Sequence, residues 1–260
     1  SLPADANPVV WMQVVDVLNQ IDRLYDGDAG QTAWRGRARA LLAPVWSRIG
    51  WTPVAGEPAT AVLLRAKLIE ALGRFDDAAV TAEARARFNR MDLPAATREP
   101  TLTVVAMHAD AATWERLHGM ARTSTNALEK QQLYSVLGET RDKALARRTL
   151  ELALSAEPPN TLRQNILRGP SGNFTAMTWA YLKANKTRAD ALFAPGSMVG
   201  MLQRITGGWT DEAIAREALA MAEAEGALPP RLKAALSAAV YRAKVRREQL
   251  DGISDWVKGG

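Results

Sequence analysis

The sequence predicts an all-α fold, an irregular α-α superhelix (solenoid) of HEAT-like helical hairpins, and three observations carry that prediction. Apolar residues recur at helical spacing along almost the whole chain. No alternating run of β-branched residues is long enough to make a sheet. The helical stretches pair into hairpins whose first helices begin near residues 9, 58, 100, 126, 160, 197 and 230, mostly 26 to 42 residues apart, which is the range of helical solenoids.

Taken in order, Asn7-Pro8 opens the first helix as cap and first-turn proline. Trp11, Val14, Val15, Leu18 and Ile21 line one face, continued by Leu24 and Tyr25. A second helix runs from about Thr32 to Ile49, with a kink expected at Pro44 and Gly50 placed to end it. Pro58 starts a third. Further helices are expected at about 59–72, 76–91, 101–109, 110–122, 127–138, 142–156, 161–168, 174–186, 197–206, 211–225 and 231–248. A short terminal helix is expected around Ile253 to Val257. The irregular pieces are Thr52 to Glu57 and Asp92 to Pro100, and Gly169-Pro-Ser-Gly172 reads as a turn.

Three junctions share one pattern: Gly73-Arg-Phe-Asp76-Asp77-Ala78, Gly138-Glu-Thr-Arg-Asp142-Lys-Ala144 and Gly208-Trp-Thr-Asp211-Glu212-Ala213. In each, the glycine is expected to end one helix in the left-handed conformation and the acid to cap the next. Linkers are short, so residues 1–260 are expected to form a single helical-repeat domain with a continuous core.

The 260 residues are 47% hydrophobic and 23% charged, the composition of a folded chain and not of a disordered one. No stretch approaches a membrane span, and the first residues lack the basic and apolar regions of a signal peptide. Starting at Ser1 without Met, the sequence reads as a piece of a longer protein. The absence of Cys removes disulfides, thiolate metal sites and cysteine nucleophiles. The net charge of +5 is spread over many segments and is expected to reflect solvated faces, not a nucleic-acid surface.

No residue set points to chemistry within the chain. His108 and His118 are the only imidazoles; ten residues apart, they would stand about 80° apart on an ideal helix, and no His-Glu-x-x-His is present. The Gly-x-Ser-x-Gly elbow and the phosphate-binding Gly-x-x-x-x-Gly-Lys-Ser/Thr loop are missing too. Asp76-Asp77 and Asp211-Glu212 sit at helix starts, where unsatisfied amides account for them. The tryptophans at 11, 34, 46, 51, 114, 179, 209 and 256 fall on different hairpins and read mainly as core. Arg35, Arg37 and Arg39 fan around their helix. The densest basic stretch is Tyr241-Arg-Ala-Lys-Val-Arg-Arg247, with Arg242 and Arg246 one turn apart on one face.

Several segments together resemble a known family. They are Leu41-Leu-Ala-Pro-Val-Trp-Ser-Arg-Ile-Gly-Trp-Thr-Pro53, Leu63-Leu-Arg-Ala-Lys-Leu68, Lys130-Gln-Gln-Leu-Tyr-Ser-Val-Leu-Gly138, Thr140-Arg-Asp142 with Leu150-Glu-Leu-Ala-Leu-Ser155, and Trp179-Ala-Tyr-Leu-Lys-Ala-Asn185. In order and spacing the chain resembles, over nearly its whole length, the C-terminal domain of aminopeptidase N-family zinc peptidases, including the endoplasmic-reticulum aminopeptidase and bacterial relatives. Pro170-Ser-Gly-Asn-Phe174 departs from the Asn-Pro-rich turn of relatives, and Arg247 stands near where they carry an aromatic.

The resemblance implies a bowl-shaped stack of helical hairpins covering a catalytic domain and enclosing a substrate chamber. It implies no catalytic, cofactor-binding or metal-binding residue in this chain: zinc, its ligands, the general-base Glu and the Gly-Ala-Met-Glu-Asn segment would belong to an upstream domain. The expected partners are that upstream catalytic domain and peptide substrates, with no nucleic acid and no membrane span. The parent would remove N-terminal residues from peptides, and exported bacterial relatives favour a periplasmic parent over a cytoplasmic one. Arg242 and Arg246 are the candidates to meet a peptide carboxylate, which guanidinium groups pair with bidentately. The alternative reading is a stand-alone tetratricopeptide- or HEAT-like interaction scaffold, suggested by Leu68-Ile-Glu-Ala-Leu-Gly-Arg-Phe-Asp-Asp-Ala78.

Overall fold

A computed structural model describes residues 3–192, 202, 204–224, 226 and 228–259. The described residues are all-α, with no strand among them. They divide into two compact units, one of residues 1–108 with 250–260 and one of residues 109–249.

The first unit contains α1 (Pro8–Leu24), α2 (Gln31–Ile49), α3 (Ala59–Arg74), α4 (Ala78–Arg90) and α5 (Ala95–Met107). Asn7 caps α1 by accepting from the Val9 amide at 2.9 Å, and Pro8 sits in the first turn, where its missing N–H is harmless. Trp11, Val15 and Leu18 are buried from α1, whereas Val14 and Ile21 are half-buried. α1, α3 and α5 pack on one another in sequence, while α2 packs on α3 and α4 on α5. This alternation is how helical hairpins stack.

The segment from Asp92 to Pro100 is not the expected linker: α5 begins at Ala95 and carries Pro100 inside it. An interior proline costs roughly 3 kcal/mol. Burial offsets that cost, because Pro100, Leu102, Val104, Val105 and Met107 are all in the core, each large apolar side chain contributing about 1.5–3 kcal/mol. The Gly73 expectation is also corrected. Gly73 is an interior residue of α3, and a Cβ there would collide with the Val104 side chain, so glycine lets α3 and α5 approach. The left-handed residue at that junction is Asp76, with φ of 59°.

The second unit contains α6 (Ala111–Thr123), α7 (Ala127–Val136), the 3-10 turn η1 (Leu137–Glu139), α8 (Lys143–Ala153), α9 (Asn160–Asn173), α10 (Thr175–Ala184), α11 (Lys186–Leu192), η2 (Thr206–Gly208), α12 (Glu212–Ala224) and α13 (Pro230–Gly259), whose last residues join the first unit. α7 packs on α9 and α8 on α10, with α9 in contact with both neighbouring rows. The helix expected at 197–206 lies largely outside the described residues.

Two expectations here are overturned. Gly169-Pro-Ser-Gly172 is no turn but the last stretch of α9, held because Gly169 packs against the Gly138 peptide and the buried Ser171 anchors the next layer. The terminal helix is not separate, since α13 runs without a break through Gly252. The acid part of the junction pattern holds at all three sites: Asp77, Asp142 and Asp211 accept from the amides of Val80, Leu145 and Ile214 at 2.9, 2.9 and 3.0 Å. Gly138, like Gly73, serves close packing and stays out of the left-handed region.

Candidate functional site

The candidate stretch on α13 is built by α9, η2 and the Trp209 segment beneath it. Ser171, fully buried, donates to the Ile205 carbonyl at 3.0 Å and accepts from the Trp209 indole at 2.8 Å. Trp209 meets Trp179 edge-on at 5.8 Å, and the Trp179 indole donates to Glu217 on α12 at 2.7 Å. Lys183 also reaches Glu217, at 2.6 Å, and these hydrogen bonds, Lys183 first, hold the Glu217 carboxyl below the usual range.

Arg242 is fastened to this framework. Its Nε donates to the Trp209 carbonyl at 3.0 Å and its Nη2 to the Thr206 carbonyl at 2.9 Å, so the guanidinium satisfies the end of a 3-10 turn. Arg246 follows one turn later and is half-buried. Arg247 pairs with Glu212 at 2.8 Å, and Glu212, also bonded by Arg216, is held below its usual range chiefly by Arg216. Glu212 is thus an ion-pair partner and Asp211 a helix cap.

Both histidines are engaged. His108 Nε2 lies 2.9 Å from the Gly73 carbonyl. His118 Nε2 lies 2.6 Å from Glu157, whose same oxygen accepts from the Tyr134 hydroxyl at 3.0 Å. Arg148 pairs with Glu115 at 2.5 Å and covers the Trp114 ring at 4.4 Å. This cluster fixes the α8–α9 connection to α6 and α7. Sequence reasoning missed it because Glu157 is 39 residues from His118. Among the described residues, no group of three or more His, Cys, Asp and Glu is placed to hold a metal ion.

In the first unit, Asp76 pairs with Arg35 at 2.8 Å, Arg35 also clasps the buried Asp22, and Arg39 donates to the Phe75 carbonyl. A cavity of about 260 Å³ is lined by Arg48, Ile49, Val54, Glu57, Pro58 and Arg65 among others. Among them, the buried Arg65 donates to Glu57 at 2.6 and 2.7 Å and to the carbonyls of Gly50 and Ile49 at 3.0 and 3.1 Å. The loop between α2 and α3 gave no periodic signal that would have paired Glu57 with Arg65. Of the tryptophans, 11, 34, 114, 179 and 209 are core residues, while Trp46 and Trp51 are half-buried and Trp256 is exposed.

In each unit the helices pack as hairpins whose acids cap helices and whose arginines fasten connections, an all-α architecture. The chain belongs to the family described as the ERAP1-like C-terminal domain, whose model matches residues 1–245. It is thereby a non-catalytic C-terminal domain of the aminopeptidase type. No curated protein matches the chain. No helix among the described residues is long and apolar enough to cross a membrane.

Proposed function

We propose that this chain is the non-catalytic C-terminal domain of a zinc aminopeptidase, and that it covers the active-site chamber, limiting and orienting the peptides that reach the metal. The family match over residues 1–245 is the observation that carries this reading, since it spans nearly the whole chain. Zinc would be bound by another domain of the parent, and that domain would supply the hydrolytic chemistry. This chain's part would be exclusion and positioning. A wall of rigid helices restricts substrate size and shields the reacting groups from bulk water, which strengthens electrostatic interactions inside.

Arg242 and Arg246 would meet the peptide beyond the scissile bond, through carboxylate or carbonyl oxygens. Arg242 also supports Trp209 and Thr206, so its removal would disturb packing as well as recognition. Arg246→Ala is therefore the cleaner variant. In the parent enzyme, Arg246→Ala and the Arg242→Ala/Arg246→Ala pair should raise KM for longer peptides more than for dipeptide-like substrates. Unchanged KM for both substrate lengths would remove these residues from the mechanism.

A further inference from the structure

Residues 250–256 lie beyond the family match, which ends at residue 245, yet they belong to the first compact unit. Within that unit, Leu250 is buried, Ser254 Oγ lies 2.9 Å from the Tyr25 hydroxyl, and the Arg37 guanidinium sits 5.2 Å from the Trp256 ring centroid. Tyr25 is only 1% exposed and stacks on Trp34 at 6.0 Å and 14°. Ser254 thus partners a phenol embedded in the α1–α2 core, a group that is costly to leave unbonded.

The segment that delivers Ser254 is weak as a helix. Gly252 stands in its middle, and glycine is a poor residue for a helix interior compared with alanine. Asp255 places negative charge near the helix C-terminus, against the dipole. Asp251, Gly252, Asp255 and Trp256 are all exposed. A frail helix end joined to a buried tyrosine and an arginine is suited to open and close locally.

We infer that residues 250–256 form a releasable latch on the α1–α2 hairpin: closed, it orders the hairpin, and open, it frees Tyr25 and Arg37. Amide hydrogen exchange on the intact protein tests this. Ser254→Ala/Trp256→Ala should speed exchange about tenfold or more in residues 8–49 together with 250–256, while residues 127–173 keep their rates. Gly252→Ala should slow exchange in both segments, because a Cβ there meets nothing within 4 Å. Faster exchange confined to 250–256 in the double variant would overturn the latch. So would a Gly252→Ala protein in which 250–256 slows and 8–49 does not, and that second result decides the matter if the double variant fails to fold.

Discussion

Gly138 and Gly169 pack peptide against peptide: a Cβ on Gly138 would stand 2.5 Å from the Ile166 carbonyl oxygen, and one on Gly169 would fall on the Gly138 carbonyl group. The approach of η1 to α9 therefore depends on two residues without side chains. Gly169→Ala should destabilise the protein by about 3 kcal/mol, since a backbone clash leaves no flexible atom to yield. Gly172→Ala, in the same helix with open space around its Cβ, should be neutral or stabilise by up to about 1 kcal/mol. Urea midpoints of the two variants compare them directly, and equal effects would refute the close-approach argument.

The capping acids give a graded test. Asp142 accepts from the Leu145 amide at 2.9 Å, so Asp142→Ala should cost about 1 kcal/mol while Asp142→Asn costs little. Asp211→Ala should behave alike through the Ile214 amide. Thermal melts suffice, and a harmless Asp142→Ala would show that the cap is incidental.

Glu57 and Arg65 make stability depend on acid. Hydrogen bonds from Arg65 hold the Glu57 carboxyl below the usual carboxylate range, with the Val54 amide adding to them. A depressed folded value means that this contribution is present above the unfolded value of about 4.3 and is lost as pH falls through the lower folded value. Glu57→Gln should therefore be less stable than the natural protein at neutral pH, and the gap should narrow as the pH drops below about 4. A gap that stays constant down to about pH 2 would contradict the pairing.

Tyr134 works at the other end of the scale. Burial, and then its hydrogen bond to Glu157, push its phenol up to about 12. The neutral form is favoured in the fold, so its contribution is intact below the unfolded value of about 10 and declines as pH rises from there towards 12. Ultraviolet titration should show a late-ionising tyrosine near that pH that disappears in Tyr134→Phe. If Tyr134→Phe removes instead a tyrosine that ionises near pH 10, the phenol is not buried against Glu157.

The residues show which features a sequence discloses. Asn7, Asp77, Asp142 and Asp211 were legible because a cap is a local bond between a side chain and an amide three or fewer residues away. Pro100 and the Gly169-Pro170 step were misread for the complementary reason: both are local helix breakers, and both are overruled by partners far along the chain, α3 with its close approach at Gly73 in one case and Gly138 in the other. The glycines of the junctions were recognised as special, but close packing and not a left-handed turn is what requires Gly73 and Gly138. At the candidate site, the helical spacing of Arg242 and Arg246 was visible. The carbonyls of Trp209 and Thr206 that hold Arg242 were not, since no periodicity encodes a contact across 33 to 36 residues.

On the proposed reading this domain works as part of a zinc aminopeptidase. The most direct test is to capture the native protein from its source with an antibody to these 260 residues, then measure its mass, zinc content and cleavage of aminoacyl anilides. A several-fold larger, zinc-containing species that releases the N-terminal residue is the expected result. An inactive, metal-free species no larger than this chain would contradict it and leave a stand-alone helical scaffold in its place.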